Sequence, residues 1–432
     1  MKGNSTQFSL GVVTGLLLAG ILALSRRQPA DSEIERYRSV RDFVRTHYVR
    51  EVDSTKLLDE ALRGMVQSLD PYSRYYDRHQ IAALERETTG RYRGIGVVFR
   101  SPASEGQVLF CLPDSPAARA GVRVGDRIES VNGRPLAELA DGELHATLTT
   151  QEVRELRMVV RGLDGEFREL EMKRAALTDP TVRHARMLDG ERGIGYVAIT
   201  SFSLQTPQEF VTAVERLERQ GLRALVIDVR SNLGGVLGSA VEIAGRFVSE
   251  GVLVSTEGRG DPVVYEAKRS EARWAGMPLV VLVDKDSASA SEVFAAALQD
   301  HRAAVIVGSP TYGKGMVQKV HAFGGDEGEV KLTTAYYYTP AHRNLERTVE
   351  DAWEYGLLPD VSVDLTGEER RSVHQHLASY SPPAGALEEL RAWEERSGLV
   401  LIEAHPPDAQ LDAALDLFRG ERPGPFAVGS NG

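Results

Sequence analysis

The stretch Gly308-Ser-Pro-Thr-Tyr-Gly313-Lys314-Gly315-Met316-Val-Gln318 decides between two folds. Its G-x-x-x-x-G-K spacing matches a phosphate-cradling loop, which would make the chain a nucleotide-binding enzyme. A phosphate loop, however, needs Ser or Thr directly after its Lys to hold Mg²⁺, and it opens into a helix whose free N–H groups face the phosphates. Here Gly315 follows the Lys. Residues 316–323 roughly alternate with a period of two and carry β-branched side chains, the pattern of a strand. Lys314 is therefore expected on a Gly-flanked turn entering a strand, and its task has to come from the residues around it.

Working upstream, apolar runs at 193–199, 224–229, 279–283 and 304–307 alternate with amphipathic segments at 207–220, 237–248 and 291–300. Strand and helix in succession predict right-handed crossovers and a largely parallel sheet. Such sheets place chemistry where strands end and helices begin. Two loops lie at such corners. Asp286-Ser-Ala-Ser289-Ala290-Ser291-Glu292 could expose a serine hydroxyl beside a free N–H, yet Ser289-x-x-Glu292 is also a helix capping box. Val229-Arg-Ser-Asn-Leu-Gly234-Gly235 could supply further backbone donors or could be only a tight turn.

Residues 92–175 read as short strands. Gly94-Ile95-Gly96 leads into one, Ser115 caps a short helix, and Asn132-Gly133 signals a hairpin. This segment resembles a PDZ domain. The N–H groups of Gly94, Ile95 and Gly96 would bind a terminal carboxylate while the strand beyond pairs with the peptide, and 143–156 is a looser match to the groove helix. Residues 31–90 carry a helical pattern, closed by Asp70-Pro71, and the tail from 367 is mainly helical and polar.

The formal net charge of -11, without a basic tract, argues against nucleic acid. The lone Cys111 excludes an intrachain disulfide and a cysteine metal cluster, and His374 and His376 diverge on a helix, so no cofactor or metal is expected. The apolar run 8–24, preceded by Lys2 and ended by Arg26-Arg27, reads as an uncleaved membrane anchor in preference to a removed signal. The body would then lie on the exported side of the cytoplasmic membrane.

The order of the blocks is more specific than any one of them. A PDZ-like segment, then VRSNLGG, SASASE, TYGKGMVQ, residues 332–340 and residues 356–360 resembles the carboxy-terminal processing proteases, the tail-specific Ser-Lys peptidase family, as does Ser68-Leu-Asp-Pro-Tyr-Ser73. The resemblance implies Ser289 as nucleophile, Lys314 as general base and Gln318 as the group orienting the lysine, on the view that 314 and 318 share one strand face. It implies an oxyanion hole from Ala290 and Gly234 or Gly235. A lysine titrates near 10.4, so acting as a base requires an environment that disfavours its charge.

The expected architecture is α/β and multidomain: an anchor (1–30), a helical N-terminal region (31–90), a PDZ-like β domain (91–175), an α/β sheet catalytic core (176–365) and a helical C-terminal region (366–432). The expected function is a serine endopeptidase that captures protein C-termini, with a homo-oligomer left open. A decayed scaffold that binds C-termini without hydrolysis is the alternative.

Overall fold

Burial on both faces is what makes a strand read as an unbroken apolar run, and four strands here meet that condition. Ile194–Ile199, Ala224–Asp228, Leu279–Val283 and Val305–Gly308 are buried at every position. The computed structural model, which describes residues 29–78, 80–99, 106–140, 143–149, 155–323, 328–347, 356–398 and 406–421, joins them in a six-stranded sheet. Val182–Asp189 flanks it antiparallel, Val361–Ser362 closes the other edge, and the pairings between are parallel. Alternate side chains go to opposite faces. Val197, Ile227 and Val281 pack under the helices Thr206–Glu218, Leu237–Ala244 and Ala290–Asp300, through Phe210, Ile243 and Phe294.

Tyr196, Val226 and Val280 face the other way, onto Val373 and Leu377 of helix Gly367–Ala378 and Leu411 and Leu417 of helix Ala409–Arg419. The C-terminal region is thus helical as expected, but it is not simply polar, because its apolar stripes roof the second face of the sheet. A third tail helix, Ala384–Ser397, lays Leu390 and Trp393 on Val98 and Phe110 of the PDZ-like segment. The approach is close: a Cβ on Gly125, at φ +80°, would lie 1.8 Å from the Trp393 ring.

The PDZ-like segment is built from three small sheets. Arg91–Gly94 pairs with Ala175–Thr178, Val97–Phe99 with Val108–Cys111, and Arg127–Val131 lies between Arg134–Pro135 and Glu155–Arg161, which continues to Phe167–Lys173. Ile95, Val108, Ile128, Leu144, Leu148 and Met158 fill its interior. The groove helix is Glu143–Thr149, and from Glu155 the chain is a strand, so the longer helical span expected to 156 is corrected. Its alternating buried and exposed positions follow period two.

Contacts divide the chain into two units, Met1–Asp77 with Val320–Leu332, and Arg78–Lys319 with Thr333–Gly432. In the first, helices Pro29–His47 and Ser54–Gln67 precede the turn at Asp70, whose Oδ1 accepts the N–H groups of Tyr72 and Ser73 at 2.8 and 2.7 Å. The helical pattern expected through residue 90 is broken there by the strand Arg74–Asp77, which pairs antiparallel with residues 328–331. A partner more than 250 positions away leaves no local signal. Among the described residues no helix is long and apolar enough to cross a membrane. The apolar run 8–24 lies outside the described residues.

Candidate active site

Parallel neighbours send their following loops to one edge of a sheet. Residues 229–235, 284–289 and 309–315 follow the adjacent parallel strands Ala224–Asp228, Leu279–Val283 and Val305–Gly308, so sheet topology alone collects the three motifs. Hydrogen bonds then stitch the loops together. Ser231 N–H donates to Asp284 Oδ1 at 3.0 Å, Ala288 N–H to the Asn232 carbonyl at 3.0 Å, and Tyr312 N–H to the Ser287 carbonyl at 3.0 Å.

The three alternating serines do not share one role. Ser287 Oγ donates to the Val229 carbonyl at 2.8 Å and Ser291 Oγ to the Asn232 carbonyl at 2.9 Å, so both lock the glycine loop to the helix start. Ser289 differs. It sits at φ 57°, ψ -116°, a region that costs a non-glycine residue roughly 1–3 kcal/mol and marks functional positions. Its Oγ lies 3.2 Å from Tyr337 Oη, and among the described residues that hydroxyl, not Lys314, is its hydrogen-bond partner.

Glu292 explains how Ser289 is held there. It is fully buried, and its carboxylate accepts four hydrogen bonds: Oε2 from the N–H groups of Ser289 and Lys314, each at 2.8 Å, and Oε1 from Thr311 Oγ1 at 2.5 Å and Gly313 N–H at 2.7 Å. Burial pushes this carboxyl above its usual range, while hydrogen bonds from Thr311, Lys314, Gly313 and Ser289 pull it back. The Ser289-x-x-Glu292 spacing is a capping box, and the glutamate side chain also fixes the lysine loop. The sequence shows the first role and not the second.

Lys314 is half-buried on a loop, and the strand starts two residues later, at Met316. The expectation that Lys314 and Gln318 share a strand face therefore does not apply to this backbone. Gln318 Nε2 donates to the Met316 carbonyl at 3.2 Å and to Thr333 Oγ1 at 3.3 Å. On the glycine loop, Gly234 and Gly235 take φ 101° and 134°, where only glycine is comfortable. A Cβ on Gly234 would lie 2.7 Å from the Ala288 carbonyl and 2.9 Å from Ser289 Cβ. Gly234 N–H donates to Asn232 Oδ1 at 2.9 Å. Ala290 opens its helix, so its N–H is among those left without an intrahelical acceptor. His301 is at the far end of that helix, with Nε2 2.7 Å from the Val252 carbonyl.

A second buried network escaped sequence reasoning. Arg230 is 2% exposed and its guanidinium binds both oxygens of Asp228, both oxygens of Asp408 and Gln410 Oε1, at 2.6 to 3.1 Å. Asp408 caps the last tail helix, accepting Leu411 N–H at 3.1 Å, so the C-terminal region grips the start of the glycine loop. In the PDZ-like segment, the Ile95 carbonyl accepts Ala117 N–H at 2.9 Å and the Gly96 carbonyl, at φ 75°, accepts Leu112 N–H at 2.8 Å, while Gly94 ends its strand.

Comparison with known proteins matches three family models to segments of the chain. Residues 193–363 match the model of peptidase family S41, 112–161 that of the PDZ domain, and 22–80 that of the N-terminal domain of the activating protease CtpB. The carboxy-terminal-processing protease of Bartonella bacilliformis is 29% identical over 94% of this chain and 93% of its own. The carboxy-terminal processing protease CtpA of Bacillus subtilis is 30% identical, over 80% of this chain and 72% of its own. A solved photosystem II D1 C-terminal processing protease is 29% identical over 76% of this chain and 92% of its own, with a TM-score of 0.43. With the S41 core, the PDZ domain and this extent of identity, the chain belongs to the carboxy-terminal processing proteases, serine-type peptidases of family S41.

Proposed function

We propose that this peptidase cleaves by a Ser289–Lys314 dyad and that its PDZ domain selects protein C-termini. The observation that carries the reading is the shared acceptor: Ser289 N–H and Lys314 N–H converge on one oxygen of Glu292, each at 2.8 Å. A serine on a strained corner and a lysine loop are tied by their main-chain N–H groups to the same carboxylate, which supports pairing their side chains. The Lys314 amine, uncharged, takes the proton of Ser289 Oγ as Oγ bonds to the substrate carbonyl carbon, and returns it to the leaving amine as the C–N bond breaks. Side-chain contacts of this kind are commonly longer without substrate, so the Tyr337 partner of Ser289 Oγ is compatible with it. Ala290 N–H, with an N–H of the Gly234-Gly235 pair, would hold the oxyanion; that Gly234 N–H already serves Asn232 Oδ1 favours Gly235. Gln318 would act on the lysine only after leaving its present partners.

The apolar run 8–24 supports an anchored body on the exported side of a cytoplasmic membrane. Purified Ser289→Ala is expected to lose cleavage of an unfolded protein substrate altogether, and Lys314→Ala to lose about 10²–10⁴-fold, with unchanged thermal unfolding. Wild-type rates in either variant refute the dyad. Amidating the substrate's C-terminus is expected to slow cleavage by the wild type, and equal rates would remove the C-terminus reading while leaving the dyad intact.

A further inference from the structure

We propose that Tyr337 is a third catalytic group, whose hydroxyl donates a hydrogen bond to Ser289 Oγ. The inference rests on Ser289 being the nucleophile. The two oxygens are 3.2 Å apart, and distance alone does not say which one donates. The surroundings of the tyrosine do. Tyr337 is 4% exposed and packed with Val254, Val293 and Val317, and among the described residues Ser289 is the hydrogen-bond partner of its hydroxyl. If the phenol accepted the serine proton, its own O–H would be buried in an apolar cluster with no acceptor, an arrangement proteins avoid. With the phenol as donor, its proton is satisfied and the serine proton is free to point elsewhere, toward the lysine loop.

The backbone places Tyr337 for this task. Its N–H donates to the Gly315 carbonyl at 2.7 Å, one residue past Lys314, so the same strand residue touches the lysine loop by its main chain and the nucleophile by its side chain. Burial pushes the phenol up to about 12, so it stays protonated through any neutral working range. During attack the Ser289 proton passes to the Lys314 amine, one Oγ electron pair forms the bond to carbon, and the carbonyl π pair moves to oxygen. Tyr337 keeps its proton throughout and stabilises the negative charge on Oγ as that proton leaves. It does so again when the acyl–Oγ bond breaks on hydrolysis, before Oγ recovers a proton from the Lys314 ammonium.

The full chain carrying Tyr337→Phe tests this, since phenylalanine keeps the ring in its cluster. Peptide turnover and the rate at which a fluorophosphonate labels Ser289, located by mass spectrometry, are measured together. The expected result is a fall of about a hundredfold in kcat and in labelling rate with KM and thermal midpoint unchanged, as for loss of one donor to a reacting oxygen. Wild-type chain that is not labelled at Ser289 would remove the nucleophile reading and this inference with it. Labelled wild type, with Tyr337→Phe equal to it in kcat and labelling rate, would overturn the tyrosine role alone. Should phenylalanine disturb the fold, ¹³Cζ-tyrosine spectra of the wild type and Ser289→Ala decide the matter: a shifted Tyr337 signal is expected, and an unmoved one overturns the contact.

Discussion

Glu292 and Arg230 are both buried charges at the carboxyl ends of adjacent parallel strands, and they hold their loops in opposite ways. Glu292 collects hydroxyl and N–H donors from segments within 22 positions of itself, and its work is to fix backbone: the Ser289 corner on one side, the lysine loop on the other. Arg230 binds side chains, and its second carboxylate, Asp408, is 178 positions away. One network joins the Ser289 corner to the lysine loop and the other fastens the roof of the sheet to the glycine loop. Changes at Glu292 should therefore cost activity, and changes at Asp408 should cost the fold.

The sharpest way to break the contrast is Glu292→Gln. Whichever side the amide nitrogen takes, it faces two donors that lose their acceptor, either Ser289 and Lys314 N–H or Thr311 O–H and Gly313 N–H. A displacement of about an ångström in a catalytic group costs around 10²-fold in rate, so kcat should fall at least that far, with a stability loss of about 3 kcal/mol by urea unfolding. A variant with normal kcat would mean the carboxylate is only a helix cap.

Asp408→Ala should do the reverse. Arg230 keeps Asp228 but loses half its charge partners in a buried site, a change worth about 3–5 kcal/mol. The urea midpoint should drop by that measure while kcat of the folded fraction changes less than tenfold. A loss confined to kcat would show that the tail network belongs to the catalytic machinery after all.

Asp284 joins the two regions and gives a smaller, pH-dependent effect. Its carboxylate accepts from Ser231 N–H, Asp286 N–H, Ser287 Oγ and His374 Nε2. Burial opposes its charge, yet His374 and the N–H groups of Ser231 and Asp286 together hold it below the ordinary 3.8. A depressed carboxyl stabilises the fold above its unfolded value and loses that contribution as pH falls through the folded one. Stability should therefore decline below about pH 4, and Asp284→Asn should flatten that decline; an unchanged slope would place the acid sensitivity elsewhere.

How much of this was legible follows from the range of each contact. The parallel sheet was readable because burial on both faces leaves uninterrupted runs such as Leu279–Val283. The Ser289–Glu292 spacing was readable because a cap is local. The bridge from Glu292 to Gly313 and Lys314 was not, since nothing at 292 marks a partner 22 positions on. Asp408, just beyond Pro406-Pro407, is a helix cap and an ion-pair partner at once, and the arginine it pairs with is 178 positions away. The strand parity linking Lys314 with Gln318 failed because the glutamate cage keeps residues 311–315 in a loop up to Met316. Tyr337 gave no signal as a site residue, because a tyrosine on a strand with neighbouring tyrosines reads as packing.

Whether Lys314 is the base that activates Ser289 can be read from the pH dependence of Ser289 labelling by a fluorophosphonate. The wild type should label along a limb that rises with pH as the base loses its proton. In Lys314→Ala that limb should vanish and labelling should slow by at least a hundredfold. Identical labelling profiles for the two proteins at every pH would contradict the account.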